Sequence, residues 1–160
     1  DMLVKLYALP VVHMPDVKTA GAGIRIFRPM PGDRSRISAF VRENFGEGWT
    51  NEFEKAMSNT PVSCFIAVNQ KKEIVCFSCY DATCRGFFGP IGVSEECRGL
   101  HVGQELLLSA LYAMREAGYG YAVIGWCEEK NRLFYEKGCG AAEIPDSFPG
   151  VYQNSLLLED

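Results

Sequence analysis

The sequence lacks several features that would assign it at once to a class of protein. No apolar run approaches the roughly 20 residues of a membrane-spanning helix, so we expect no membrane partner. Lysine and arginine total 16 against 20 aspartates and glutamates, which gives a net charge of −4. No basic run marks a nucleic-acid-binding face, so we expect no nucleic-acid partner. The Gly-x-x-x-x-Gly-Lys-Ser/Thr loop of nucleoside triphosphatases is also absent.

A metal site and a disulfide framework are disfavoured as well, although the chain has seven cysteines. Cys76 and Cys79 form a lone Cys-x-x-Cys without the second pair that a zinc site of this type requires. They lie in an apolar run typical of a strand, where positions three apart face opposite sides. The odd count and the apolar settings favour reduced, buried thiols. Residues 2–10 do not resemble a signal peptide, so we expect a cytoplasmic protein without a bound metal.

The length and composition are typical of one globular domain, with 160 residues of which 48% are hydrophobic and 22% charged. We assign residues 24–160 to this domain. Residues 1–23 form an N-terminal extension, in which residues 2–9 either add an edge strand to the sheet or lie across the surface. No repeat or low-complexity segment interrupts the chain.

The hydrophobic pattern predicts an α+β, or mixed α/β, domain. Asp33 is the expected N-cap of a first helix, and Asn51 and Glu54 are placed like the capping box of a second. Two last strands with a proline-rich link are predicted within residues 141–158. The other predicted strands are residues 24–27, 63–68, 73–80, 86–93 and 121–126, and the later helices are residues 103–117 and 131–137.

Residues 89–103 carry the strongest functional signal. They predict a strand disturbed by glycine and proline, then a glycine-bearing turn, then the start of a helix. A helix start leaves about four N–H groups unpartnered and carries partial positive charge, so it binds phosphates. A disturbed strand leaves backbone groups free to pair with an extended, amide-containing ligand. A diphosphate with an amide-bearing arm fits both features, and coenzyme A is such a ligand.

The loop itself, Arg98-Gly-Leu-His-Val-Gly103, resembles the acetyl-CoA loop of the GCN5-related N-acetyltransferase (GNAT) superfamily, Arg/Gln-x-x-Gly-x-Gly/Ala. The following helix, the strand at residues 121–126 and the segment Asn131-Arg-Leu-Phe-Tyr-Glu-Lys-Gly138 also resemble that family. The resemblance covers residues 87–141. It implies a mixed, mostly antiparallel sheet flanked by helices, with a V-shaped splay between the fourth and fifth core strands. Residues 24–160 would then form a single GNAT-like acetyltransferase domain.

The resemblance also implies a set of cofactor-binding residues. Ile91 and Val93 would pair their backbones with the pantetheine arm of acetyl-CoA. Asn131 would contact the cofactor arm or cap the helix that follows it. Phe134 would also belong to the cofactor-binding residues. By the same resemblance, the loop residues at the pyrophosphate would be Arg98, Gly99, Leu100, His101, Val102 and Gly103, with N–H contacts from Arg98, Gly99, Val102 and Gly103.

His101 departs from the family pattern, which has glycine at this position. Glycine allows a positive φ and the close approach of a phosphate. Three roles stay open for His101: a solvent-facing loop residue, a contact to the phosphates, or a substitution that weakens CoA binding.

The resemblance names Tyr135 as the acid that protonates the departing thiolate, which suits a phenol with an ordinary pKa of about 10. The alternative is a packing aromatic beside Phe134. Val93 is the candidate oxyanion donor. Glu128 is our candidate base, although water relaying the proton is an equal alternative. Other carboxylates near the acceptor side are Glu129, Asp81, Glu43 and Glu52.

The acceptor side is less defined by the sequence. Phe45, Trp49 and Phe53 either line it or belong to the core, and residues 147–152 either close over it or turn the chain. The implied function is transfer of an acetyl group from acetyl-CoA to a primary amine, of a small molecule or a peptide, by direct attack. The alternative is a non-catalytic acyl-CoA-binding or sensing module. The family resemblance allows a homodimer.

Overall fold

The computed structural model of the chain describes residues 1–158. Within them the chain forms an α+β fold of seven strands and five α-helices. In chain order these are β1 (Met2–Lys5), α1 (Val17–Gly21), β2 (Arg25–Phe27), α2 (Arg34–Phe45), α3 (Glu47–Met57), β3 (Cys64–Val68), β4 (Ile74–Tyr80), β5 (Phe87–Val93), α4 (Val102–Glu116), β6 (Tyr121–Ile124), α5 (Arg132–Cys139) and β7 (Ala142–Glu143).

All seven strands lie in one sheet, in the order β2-β3-β4-β5-β6-β1-β7. Neighbouring strands pair antiparallel, except that β5 and β6 pair parallel. The sheet is flanked by helices, so the predicted mixed, mostly antiparallel architecture is confirmed. The one parallel pair is joined through α4, as the sequence indicated for the strands on either side of that helix.

The N-terminal strand is an interior strand, and the expectation of an edge strand is wrong. β1 pairs with β6 along its whole length, from Met2 opposite Ile124 to Lys5 opposite Tyr121. On its other side it pairs with β7, which is only two residues long. Met2 and Val4 are buried. The strand therefore belongs to the core of the fold, and its pairing with residues more than a hundred positions away is invisible to local sequence patterns.

Two helical layers cover opposite faces of the sheet. α2 and α3 pack on one face, which includes Ile66, Phe77 and Cys79. α4 packs on the other face, where its residues meet Ala67 and Cys76. Cys76 and Cys79 thus face opposite sides, as the strand pattern predicted, and all seven cysteines are free thiols.

Residues 6–23 run across α4. The Tyr112 hydroxyl on α4 donates to the Pro10 carbonyl, and the Asp16 side chain accepts from the Lys18 N–H to cap α1. The Thr19 hydroxyl donates to the carbonyl of Leu100 (2.8 Å). This segment therefore lies against the loop that precedes α4.

Three local predictions need correction. Asp33 precedes α2, but its side chain makes no capping hydrogen bond. α3 begins at Glu47 after Gly46, so Asn51 and Glu54 lie inside the helix, where Glu54 binds Arg34 and Ser38 of α2 instead of capping. The predicted last strand is a 3₁₀ helix, Gly150–Asn154, because the prolines before it turn the chain away from the sheet edge.

None of the helices in residues 1–158 combines the length and the apolar character needed to cross a membrane. In the same part of the chain, no three side chains of histidine, cysteine, aspartate or glutamate come together as metal ligands would.

Candidate functional site: the splay between β5 and β6

β5 and β6 pair at their first residues and then separate. The parallel pairing covers only Phe87 with Val123 and Phe88 with Ile124. At Gly89 and Pro90 the register between β5 and β4 shifts, since two residues of β5 oppose one of β4. Pro90 also lacks an N–H to donate to a neighbouring strand. The predicted bulge and splay are both confirmed.

The free edge of β5 lines this splay. The Ser94 N–H donates to the Val75 carbonyl on β4 (3.2 Å). Hydrogen-bonded and non-bonded positions alternate along an antiparallel pair, so the backbone groups of Ile91 and Val93 point away from β4. They point into the splay, where β6 has already ended. Both residues therefore have backbone polar groups at the free edge of β5, where an extended ligand could pair with them.

The loop after β5 leads into α4 through a 3₁₀ turn, Glu95–Cys97. Arg98 and Gly99 are exposed and Leu100 is partly buried. In residues 1–158 no acceptor is found for the N–H groups of five residues: Gly99, His101, Val102, Gly103 and Gln104. The loop and the helix start thus present a cluster of unpartnered donors. The Arg98 N–H differs from expectation, since it donates to the Glu95 carbonyl (3.2 Å).

His101 takes the left-handed conformation for which the family uses glycine, with φ 61°. Histidine is among the residues that adopt it more readily than most. The imidazole is 49% exposed, and its Nδ1 lies 3.1 Å from Oδ2 of Asp16. This hydrogen bond lowers the pKa of the Asp16 carboxyl. The ring is therefore held to the side by the N-terminal segment, and the backbone follows the path that a glycine would take.

The α4 side of the splay is completed by aromatic residues of α5. A Cβ added at Gly103 would lie 3.3 Å from Val93 and 3.7 Å from the Phe134 ring, so these three residues meet. Tyr135 is buried, with its ring centroid 6.2 Å from that of Phe88 and 5.1 Å from that of Phe134. Burial raises the pKa of the Tyr135 phenol, with smaller contributions from Cys127 and Cys139. The phenol is accordingly protonated at neutral pH.

Two other predicted site residues are exposed. Asn131 precedes α5, and its side chain makes no capping hydrogen bond. Glu128 is 59% exposed and pairs with Lys130 (2.6 Å). Its environment is that of a solvated surface carboxylate.

On the other face of the splay lie residues that the sequence analysis did not group into one site. Glu52 on α3 is partly buried and accepts a hydrogen bond from the Thr83 hydroxyl, which lies in the β4–β5 connection. Burial raises the pKa of the Glu52 carboxyl, against the effect of this hydrogen bond. The Tyr152 phenol also lies here, and burial, with Glu52 and Cys84, raises its pKa to about 12. These residues come from three separate segments, so no local motif reveals them.

The tail lies over this side of the splay, which is one of the two arrangements left open for residues 147–152. The Trp126 ring packs edge-on against Phe148 and Tyr152, with centroid distances of 5.6 and 5.1 Å. A Cβ at Gly125 would collide with the Tyr152 hydroxyl. Phe45 and Trp49 stack at 5.5 Å and are in contact with Phe77 of the core, so they serve both the core and this face.

Comparisons with known proteins agree with this geometry. The model of the acetyltransferase (GNAT) family matches residues 33–141. A search of curated proteins found no match. Solved structures are similar in fold at low sequence identity, which supports the fold and nothing finer.

One similar structure is the GCN5-related glucosamine N-acetyltransferase region of a fungal multi-domain GH3 β-N-acetylglucosaminidase (14% identity, TM-score 0.68, 86% of this chain and 19% of that one). A second is a GCN5-related N-acetyltransferase from Sphaerobacter thermophilus (18% identity, TM-score 0.63, 88% of this chain and 46% of that one). A third is a GNAT family acetyltransferase from Brucella melitensis in complex with acetyl-CoA (16% identity, TM-score 0.51, 71% of this chain and 82% of that one). The chain spans less than half of the first two proteins. Since the family match covers more than half of the sequence, this chain belongs to the acetyltransferase (GNAT) family.

Proposed function

We propose that this protein is an acetyl-CoA-dependent N-acetyltransferase that acetylates a primary amine by direct attack on the thioester. The observation that carries the proposal is the continuity of two sets of free backbone groups. The donors of residues 99–104 suit a diphosphate, and the free edge of β5 beside them suits the amide-bearing pantetheine arm. The structure of the Brucella relative with acetyl-CoA supports the choice of ligand.

Each residue then has a defined task. The N–H groups of Gly99, Val102 and Gly103 bind the pyrophosphate, while the Ile91 and Val93 backbones hold pantetheine. The Val93 N–H stabilises the oxyanion that forms when the amine attacks the carbonyl carbon. Tyr135 protonates the thiolate as the carbon–sulfur bond breaks, for which its phenol must be protonated.

Thermal unfolding with and without acetyl-CoA tests the binding step. At 100 times its dissociation constant, a ligand of the folded state adds about 2.7 kcal/mol to the free energy of unfolding. We expect this stabilisation with acetyl-CoA and almost none with pantetheine, which lacks the diphosphate. Equal responses to the two compounds, or no response to either, would contradict the assignment of the loop.

Release of free CoA in the presence of amines tests turnover. We expect release with at least one primary amine. A protein that binds acetyl-CoA and releases no CoA across a broad panel of amines would instead be an acyl-CoA-binding or sensing module.

A further inference from the structure

The face of the splay opposite α4, which we call the enclosure, is lined by side chains of α2, α3, the β4–β5 connection and the tail. On the β5 side, a Cβ at Gly92 would lie 2.6 Å from the Phe45 ring, which stacks on Trp49. Trp49 and Glu52 are three residues apart in α3, so they share one side of that helix. This side of the enclosure combines an aromatic surface with a carboxylate.

The series continues to β6. Glu52 accepts from the Thr83 hydroxyl, and the Tyr152 phenol lies close enough to both for each to affect its pKa. Tyr152 in turn packs on Trp126 and reaches Gly125 at the end of β6. Side chains from α3, the β4–β5 connection and the tail thus lie together on this face of the splay.

Glu52 lacks a cationic partner in this enclosure. No lysine, arginine or histidine within residues 1–158 forms an ion pair with it, and Thr83 is its one hydrogen-bond donor there. Buried carboxylates are normally paired with a cation. Glu54, two positions along the same helix, is paired with Arg34. The contrast indicates that Glu52 is placed for a positive charge that the described protein does not supply.

The aromatic rings favour the same kind of ligand. Trp49 and Trp126 are 38% and 45% exposed, which is unusual for such large apolar side chains. The face of a tryptophan attracts a cation, most strongly when the site is partly desolvated. An aliphatic ammonium satisfies both the unpaired carboxylate and the exposed rings.

Resting on the proposed function, we infer that this enclosure is the acceptor site and that it selects primary ammonium compounds without a neighbouring carboxylate. Glu52 binds the ammonium and removes its first proton. Tyr152 and Thr83 position the Glu52 carboxylate and the amine. A carboxylate next to the amine would be repelled by Glu52, and within residues 1–158 no basic residue pairs with Glu52 to offset that repulsion.

Residues on the two faces of the splay account for every proton that moves in the reaction. Glu52 takes one proton from the ammonium and passes it to solvent. The neutral nitrogen then forms a bond to the acetyl carbon and loses a second proton, and the carbon–sulfur bond breaks. The thiolate receives a proton from Tyr135, which is restored by the second proton. The products are the N-acetyl amine, CoA and one released proton.

CoA release from purified protein and acetyl-CoA tests this inference with two matched pairs of compounds. These are butylamine with norvaline and phenethylamine with phenylalanine. We expect kcat/KM at least about 10-fold higher for the amine of each pair. Glu52→Gln, which keeps an acceptor for Thr83, should lower kcat/KM for the amines about 100-fold. Glu54→Gln should stay within about twofold of wild type.

Calorimetric binding of acetyl-CoA separates this inference from the function on which it rests. We expect the Kd of acetyl-CoA to be the same in Glu52→Gln and wild type, which also shows that the variant is folded. Normal acetyl-CoA binding with full activity in Glu52→Gln, or a preference of wild type for the carboxylated partners, would overturn the acceptor site alone. Acetyl-CoA binding by wild type with no turnover of any amine would overturn the proposed function and the acceptor site with it. Failure of wild type to bind acetyl-CoA would overturn both.

Discussion

The two faces of the splay between β5 and β6 are built in different ways. On the α4 face, the loop and helix start at residues 94–104 form one continuous stretch of chain, and the donors are backbone N–H groups. On the α3 face, Glu52, Thr83 and Tyr152 come from three distant segments, and their side chains carry the chemistry. Backbone donors suit a ligand part that is the same in every reaction. Side chains from separate segments can change independently, which suits a part that differs between enzymes.

This difference predicts that the faces can be disabled separately. Gly103→Val should have the largest effect, because its side chain would enter the space between Val93 and Phe134. We expect the affinity for acetyl-CoA to fall about 100-fold, equivalent to about 2.7 kcal/mol, as measured by calorimetry. Gly120→Val, at a glycine with open space around it, is the control. Unchanged affinity in Gly103→Val would mean that the cofactor does not lie beside this helix start.

Tyr135→Phe tests the protonation of the thiolate on the same face without blocking the binding of acetyl-CoA. We expect kcat for CoA release to fall about 100-fold, with the Kd of acetyl-CoA unchanged. Tyr121→Phe, which removes an exposed phenol, provides a matched control. If Tyr135→Phe retains full kcat, the residue is a packing aromatic beside Phe88 and Phe134.

Gly125→Ala perturbs the opposite face. Its Cβ would displace the Tyr152 hydroxyl, and small displacements of a positioning group reduce turnover. We expect kcat/KM for the amine to fall about 10-fold while acetyl-CoA binding is retained, the reverse of the pattern in Gly103→Val. Loss of acetyl-CoA affinity here would show that the two faces are not independent.

The smallest expected effect concerns stability and pH. Burial raises the pKa of Glu52 in the folded state, so its favourable contribution is present below the unfolded pKa of about 4.3 and is lost as pH rises through the folded value. Glu52→Gln should therefore raise Tm at pH 8, by about 2 °C, and leave it unchanged near pH 4.

Glu54→Gln should do the opposite. Hydrogen bonds from Ser38 and Arg34 lower the pKa of Glu54, so its contribution to stability is present above the unfolded pKa and is lost as pH falls through the folded value. We expect a lower Tm at pH 8 in this variant. A lower Tm for Glu52→Gln at the same pH would indicate that Glu52 serves the fold instead of a ligand.

Sequence reasoning found the α4 face because its signals are local. Glycine and proline before the loop, an arginine within it and an amphipathic helix after it are neighbours in the chain, so the bulge and the free donors were predictable from these residues. The splay was expected only from the family resemblance. The position of the His101 ring was not predictable, since the ring is hydrogen-bonded to Asp16, which is far away in sequence.

The other features that the sequence did not predict also depend on contacts between residues far apart in the chain. β1 reaches its place between β6 and β7 through long-range pairing, which a weakly alternating run of residues cannot specify. Glu52 was one of several carboxylates that the sequence placed near the acceptor side, and nothing local distinguished it from Glu43. Its distinction lies in Thr83 beside it and in the absence, within residues 1–158, of a cation such as the one that pairs with Glu54, and both depend on tertiary structure.

A crystal structure with acetyl-CoA is the most direct test of the central claim that the splay and the helix start grip the thioester together. We expect pyrophosphate oxygens within about 3 Å of the N–H groups of Gly99, Val102 and Gly103, and pantetheine amides paired with Ile91 and Val93. Acetyl-CoA bound outside the splay, with β5 and the loop donors left free, would contradict the account.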